Sequence, residues 1–375
     1  MKIFYYIFSI TVFLIASFCI ISPSEMINSA KNGISLWFNI VLPSLFPFLI
    51  LSDLIQKSAI TKVFEKLLSN IMKPIFKLPG ISSLAIFLGM TGGYPIGAKI
   101  TSDLRNNNSL SKTEAKRLLA FSNNSGPLFI SGAIGIGLYK NASIGFLLLI
   151  SHYISALLVG ILFRFYKKEK VTPNSKNLIQ FSFIKLSSLG ETLTNTVKKA
   201  ITTVTVIGGF IVIFSILTTI LEKTGLLLLI SKIIMPNLDT DFSASIISGI
   251  LEVTNGVNRI FNLSSVNLTA KLIVTSALIG FGGFSVHMQT LSVISSSDIG
   301  SSTYFIGKTL QSIFSGIITF MLLHYTNFSL LIYEPTFASD VYNSYGFIKL
   351  ISTVTLVFLF IVMFKIVQTL IDEHV

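Results

Sequence analysis

The sequence predicts an all-α polytopic membrane protein, arranged as an inverted repeat with broken or re-entrant helices. Three observations carry that prediction. Hydrophobic residues make up 51% of the 375 positions, while Asp, Glu, Lys and Arg together supply only 12%, about half the share found in a soluble domain. Apolar stretches long enough for a bilayer, about 20 residues, recur along the chain, and the alternating ten-residue segments of an outer-membrane barrel do not. The interruptions of those stretches also fall at matching places in two halves of the chain. The lipid bilayer is therefore the first partner. A net charge of +12 is assigned to loops kept on the cytoplasmic side rather than to nucleic acid. The single cysteine, Cys19, leaves no disulfide framework and no thiol metal site; neither metal nor cofactor is expected.

Residues 1–32 are read as an N-terminal transmembrane anchor, because the apolar run 3–22 is long and ends without a clean small-residue cleavage site. Residues 33–166 form the first repeat and 200–325 the second. Within them Gly89-Met-Thr-Gly-Gly-Tyr-Pro-Ile-Gly-Ala-Lys-Ile100 aligns without gaps on Gly249-Ile-Leu-Glu-Val-Thr-Asn-Gly-Val-Asn-Arg-Ile260. Lys116 and Lys271 then open apolar runs, broken by Asn123-Asn124-Ser125-Gly126-Pro127 in one half and by Gly280-Phe-Gly-Gly-Phe-Ser285 in the other. Each half closes on an uninterrupted apolar helix, 141–166 and 301–325. Between the repeats, the linker 167–199 holds seven lysines against Glu169 and Glu191 and belongs in the cytoplasm. The segment 326–345, with Glu334 and Asp340 and no Lys or Arg, belongs outside and is followed by a C-terminal helix, 346–368. With these assignments the two repeats enter the membrane from opposite sides, as in many secondary transporters.

The broken helices carry the chemistry. In lipid every backbone amide must be satisfied internally, so interruptions survive only beside protein or a wet cavity. Gly92, Gly93, Tyr94 and Pro95 form one break: Pro95 has no amide hydrogen for the carbonyl of Thr91, and its ring crowds that carbonyl. Asn123, Asn124, Ser125 and Gly126 form another, with Pro127 suited to start a new half-helix. Gly282, Gly283 and Ser285 form the third. A new helix start presents unpaired amides and positive dipole, which suits a carboxylate. Glycines at 89, 93 and 97 also serve plain close packing of helices, but three consecutive hydrogen-bonding side chains at 123–125 are not needed for that. Lys99 and Arg259 occupy equivalent positions and are candidate ligands of an anion, or else snorkel at segment ends. Glu252, with Thr254 and Asn255 beside it, is a candidate proton or cation site, or else pairs with Arg259 or Lys271. His287 follows the third break and titrates near neutrality when unperturbed.

Enzyme signatures are missing. Gly283-Phe-Ser285-Val-His287 ends in His where a hydrolase elbow has Gly, and on a helix residues two apart do not face each other. Zinc-protease, nucleotide-loop and dinucleotide patterns are absent, so no catalytic residue is named.

The strings Gly93-Tyr-Pro-Ile-Gly-Ala-Lys99, Phe121-Ser-Asn-Asn-Ser-Gly-Pro-Leu-Phe-Ile130, Ser151-His-Tyr153 and Gly280-Phe-Gly-Gly-Phe-Ser-Val-His287 together resemble the sporulation integral membrane proteins of the YlbJ type. That family carries two nucleoside-recognition, or gate, domains similar to parts of concentrative nucleoside transporters. The resemblance spans most of residues 30–325. It implies a transporter moving dipicolinate into the developing spore, placed in the outer forespore membrane. It carries family motifs onto Gly93, Pro95, Gly97, Lys99, Asn123, Asn124, Ser125, Pro127, Gly282, Gly283 and His287. A nucleoside or other metabolite carrier, and a non-transporting membrane assembly subunit, are the alternatives. Oligomeric state is not readable from the sequence.

Overall fold

A computed structural model describes residues 2–58, 60–167 and 189–325; among these every regular element is helical. The chain opens with α1 (Lys2–Ile21) and α2 (Pro23–Leu36), which meet at 112°. Pro23 occupies the first turn of α2, where its missing amide hydrogen costs nothing. A wide turn at Trp37–Val41 leads to α3 (Leu42–Gln56) and then to α4 (Ile60–Phe76). The first broken pair is α5 (Ser83–Gly92) and α6 (Ile96–Asn106), parted where Gly93 takes φ +89° and the Tyr94–Pro95 bond is cis. Next, α7 (Lys112–Ser122) starts on a capping box: Ser111 accepts from the amide of Glu114, whose carboxylate accepts from Ser111 in return. The Asn-Asn-Ser-Gly run ends α7, and a wide helical segment, Leu128–Leu138, precedes the long α8 (Ala142–Phe163).

The second half is α9 (Leu189–Lys223), α10 (Leu226–Ile234), α11 (Thr240–Leu251), α12 (Val253–Asn262), α13 (Leu268–Phe281), α14 (Gly283–Ile294) and α15 (Ser302–Tyr325). Element by element it repeats the first. The α5/α6 break corresponds to α11/α12, the break after α7 to that between α13 and α14, and α8 to α15. Packing obeys the same exchange: α7 lies on α15 as α13 lies on α8, and α6 lies on α14 as α12 lies on the wide helix 128–138. The equivalent helices α8 and α15 pack on each other, as do α3 and α9. That pattern is what a two-fold relation between the halves requires. Residues 189–199, assigned from charge to the linker, are instead the first turns of the 35-residue α9. A run with lysines every few residues continues a helix readily, because long side chains reach the interface while the backbone stays bonded. The outer loop and C-terminal helix expected over 326–375 lie outside the described residues.

Among the described residues four helical stretches are long and apolar enough to cross a bilayer, and six if each of the two sharply bent pairs is one span; α13 and α14 together make one of the four. The molecule is polar inside and apolar outside. Phe13, Leu157, Ile213, Ile306, Ile313 and Ile317 are exposed, while Asn123, Asn124, His152, Lys308, Gln311 and Thr290 are wholly or almost wholly buried. Such a distribution fits lipid as the solvent. Small residues let the broken segments interlock: a Cβ on Gly97 would sit 1.9 Å from the Ser122 carbonyl oxygen, and one on Gly89 2.1 Å from it. These two glycines serve packing, whereas Gly92 and Gly93 stand at the site.

Candidate functional site

All the interruptions meet around one cavity of about 450 Å³. The first break contributes Thr91, Gly92, Gly93 and Tyr94; the second, Ser125 and Gly126; the α11/α12 junction, Glu252, Val253 and Thr254; and α14, Ser285 and Gln289. The remaining wall is largely apolar and comes from the α2–α3 region, the wide helix 128–138 and α9, including Leu45, Phe48, Leu128, Phe129, Ile207 and Ile211, with Asn39 as a polar exception. Few polar groups in an apolar shell is the usual make-up of a small-molecule site.

Of the residues singled out in the sequence, Gly92, Gly93, Tyr94, Ser125, Gly126, Glu252, Thr254 and Ser285 therefore come together at the cavity. Glu252 is 4% exposed and caps α12: its carboxylate accepts from the amides of Thr254 at 3.1 Å and Asn255 at 2.7 Å. Asn255 thus enters through its backbone. The amides at the start of α12 are thus already occupied by this carboxylate.

Asn123 and Asn124 stand one layer behind the wall. The Asn123 amide donates to Thr290 Oγ1 at 2.8 Å, and the Asn124 amide donates to the Phe121 carbonyl at 2.7 Å. Gln311 donates to Asn124 Oδ1 at 2.9 Å. The Ser125 amide donates to His152 Nε2 at 3.0 Å. Pro95 leads into α6, and Gly283 passes close to the Gly249 carbonyl. Gly282 packs near the Tyr94 hydroxyl, which donates to the Ile279 carbonyl at 2.7 Å and so ties the two repeats together. His287 shares a hydrogen bond of 3.0 Å with Tyr304 and lies edge-on among Phe281, Phe284 and Phe305. It does not line the cavity.

The two cations chosen from the repeat lie elsewhere. Lys99 donates to Asp103 at 2.8 Å, one turn along α6. Arg259 pairs with Glu222 at the end of α9. Each has a carboxylate within side-chain reach near a helix end, which holds it away from the cavity. The cation that does approach is Lys308 on α15. It is fully buried, donates to the Asn123 carbonyl at 3.1 Å and Gln311 Oε1 at 2.7 Å, and has its Nζ 5.3 Å from the centre of the Tyr94 ring. Tyr94 is itself part of the cavity wall. No carboxylate lies within 4 Å of Lys308 among the described residues. The Asn123 backbone carbonyl holds this ammonium directly, and the Asn124 side chain does so through Gln311. Lys308 and Gln311 were missed from the sequence; the one signal for them is that they are polar residues in an otherwise apolar span, three positions apart and so on one helix face.

No group of three or more His, Cys, Asp or Glu side chains that could hold a metal occurs among the described residues. Comparison with known proteins gives two matches. Residues 38–168, which cover the first repeat, match the family model described as Gate, nucleoside recognition. Over 319 residues the chain is 35% identical to the sporulation integral membrane protein YlbJ of Bacillus subtilis (strain 168), a match covering 80% of this chain and 78% of that protein. No solved structure matches.

Proposed function

The chain belongs to the YlbJ family of sporulation integral membrane proteins, and from that premise we propose that it carries a small organic anion, dipicolinate, into the developing spore across the outer forespore membrane. It is an integral membrane protein of the sporulation type with a gate-type first repeat. The observation that carries the finer reading is the convergence of the broken helices on one cavity, with the Lys308 ammonium 5.3 Å from the Tyr94 ring that walls it.

The chemistry runs as follows. Glycine at 92, 93 and 126 lets a flat ring approach the backbone closely. The apolar wall from Leu45, Phe48 and Ile207 suits the faces of an aromatic ring, while Ser125, Ser285, Gln289 and Thr91 offer polar groups for its edge. Lys308 supplies positive potential from behind Tyr94 in a water-poor setting, where charges act strongly. Sites at the midplane between repeats are how alternating-access carriers expose one ligand to either side in turn. We read the protein as a carrier and assign it no reaction.

A second reading comes from the matched family model, whose description is nucleoside recognition; a nucleoside also has a flat ring and a polar edge. Uptake of labelled dipicolinate into liposomes containing the purified chain separates the two. Saturable uptake, unaffected by excess nucleoside and lost in Ser285→Phe, which puts a ring into the space between the broken helices, is the expected result. Nucleoside uptake instead, or dipicolinate uptake unchanged by Ser285→Phe, overturns the proposal.

A further inference from the structure

We infer that Glu252 is a proton site: it binds a proton as the anion enters the cavity, and the two cross the membrane together. This rests on the transport reading and adds what drives it. Glu252 is nine-tenths buried, lines the cavity, and has no cation within 4 Å among the described residues. The partners the sequence offers it are engaged elsewhere, Arg259 with Glu222 and Lys271 with the Phe261 carbonyl at 2.8 Å.

Capping alone does not demand a charge at this point. The gap-free alignment of the repeats sets Glu252 opposite Gly92, so the equivalent junction in the first repeat is made without any carboxylate. What distinguishes the second repeat is an acid facing the ligand space. A carboxylate and an organic dianion in one low-dielectric cavity repel each other. A proton on Glu252 removes that repulsion and turns one oxygen into an O–H donor, able to make a short charge-assisted hydrogen bond to a ligand carboxylate. The other oxygen continues to accept from α12.

The titratable and charged groups on the elements packed against this junction are few. Across the cavity is Tyr94, with Lys308 behind it. On α14 there is His287, boxed by aromatic rings; on α13, Lys271; on α12, Arg259. At the near end of α9 are Glu222 and Lys223, each in an ion pair, and its far end carries Glu191, Lys198 and Lys199. Lys232 lies on α10, and Asp239 and Asp241 flank the start of α11, roughly 17–20 Å away by helix rise. The wide helix 128–138 has none. Of these, Glu252 is the carboxylate at the cavity.

The test uses the full chain in liposomes and dipicolinate as probe. With the membrane potential clamped at zero, a gradient of one pH unit, acid on the side of entry, is expected to give about tenfold accumulation for one proton per anion. A protonophore should abolish it. Glu252→Gln should not accumulate dipicolinate under the gradient, and whatever exchange of labelled for unlabelled dipicolinate it retains should not vary with pH. In parallel, calorimetric titration in buffers of different ionisation enthalpy should show about one proton taken up per dipicolinate bound to the wild type, and none for the variant. Wild-type uptake that is indifferent to pH, or that follows a sodium gradient instead, overturns the inference and leaves the transport reading standing. Accumulation retained in Glu252→Gln does the same. Should that variant not fold, the wild-type calorimetry decides, and binding without proton uptake overturns the inference. Folded wild type that neither binds nor moves dipicolinate at any pH overturns both.

Discussion

Replacing Lys308 with Met should separate the charge of the site from its stability. The Lys308 ammonium makes two hydrogen bonds, to the Asn123 carbonyl at 3.1 Å and to Gln311 Oε1 at 2.7 Å. Removing the donor leaves two buried acceptors unpaired, at about 1–3 kcal/mol each. Against this, the variant no longer buries an ammonium without a carboxylate, a penalty of several kcal/mol. The two effects oppose, so stability should shift by no more than about 2 kcal/mol in either direction. Ligand binding has no such compensation. Nζ is 5.3 Å from the Tyr94 ring centre, and a ligand stacked on the opposite face adds one van der Waals spacing, which places it about 9 Å from the charge. At an effective dielectric constant of about 20, that separation is worth about 1.8 kcal/mol per ligand charge and about 3.7 kcal/mol for a dianion. The affinity for dipicolinate should therefore fall by one to two and a half orders of magnitude, the lower figure applying if water screens the cavity. A neutral nucleoside should be almost unaffected. Calorimetric binding and the melting temperature in detergent measure the two quantities on one sample. A variant that melts like the wild type and binds dipicolinate within about twofold of it would refute the electrostatic role given to Lys308.

Other expectations follow from the same coordinates. Gly97→Ala and, in the second half, Gly256→Ala should each destabilise by about 1–3 kcal/mol or more, because the new Cβ would lie 1.9 Å from the Ser122 carbonyl oxygen in one case and 2.1 Å from Gly249 Cα in the other, and backbone cannot swing aside; thermal unfolding checks this. Asn124→Ala should cost about 1–3 kcal/mol, since it strips a partner from Gln311 and from the Phe121 carbonyl, and should weaken dipicolinate binding less than Lys308→Met does. On the surface, the side-chain hydrogen bond from Arg105, with help from Lys112, holds the Asp298 carboxyl down to about 2. A folded-state value below the ordinary carboxylate range stabilises above about pH 4 and loses that contribution as pH falls through 2. The melting-temperature gap between wild type and Asp298→Asn should accordingly be nearly constant above about pH 4, shrink as pH falls through about 2 and close below it; a gap that does not shrink over that range contradicts it.

The breaks were legible because they depend on local chemistry. A proline after two glycines at 92–95 and an Asn-Asn-Ser-Gly-Pro run at 123–127 cannot continue a helix in any context. Their recurrence in a second half, with the same spacing to the next basic residue, exposed the repeat despite low identity. Glu252 stood out for the same reason, as a lone acid in an apolar neighbourhood. The charge partner was misjudged from sequence because Lys99 and Arg259 share repeat positions, whereas Asp103 and Glu222 claim them through contacts of which one is local and the other spans 37 residues. Lys308 has no repeat counterpart to advertise it. It reaches Asn123 across 185 positions of chain, a distance over which no sequence spacing is informative.

What the sequence by itself determined is the solvent and the secondary structure: few charges and long apolar runs demand lipid, and unsatisfiable backbone marks where helices end. What only the tertiary structure decided is which side of each break faces the cavity and which polar groups are already spent. Burial in a low-dielectric interior makes every donor and acceptor seek a partner, and the choice among partners depends on packing between the halves. Asn123 and Asn124 found theirs in α14, α15 and the end of α7, leaving the cavity to Gly92, Gly93, Ser125, Gly126, Glu252 and Ser285.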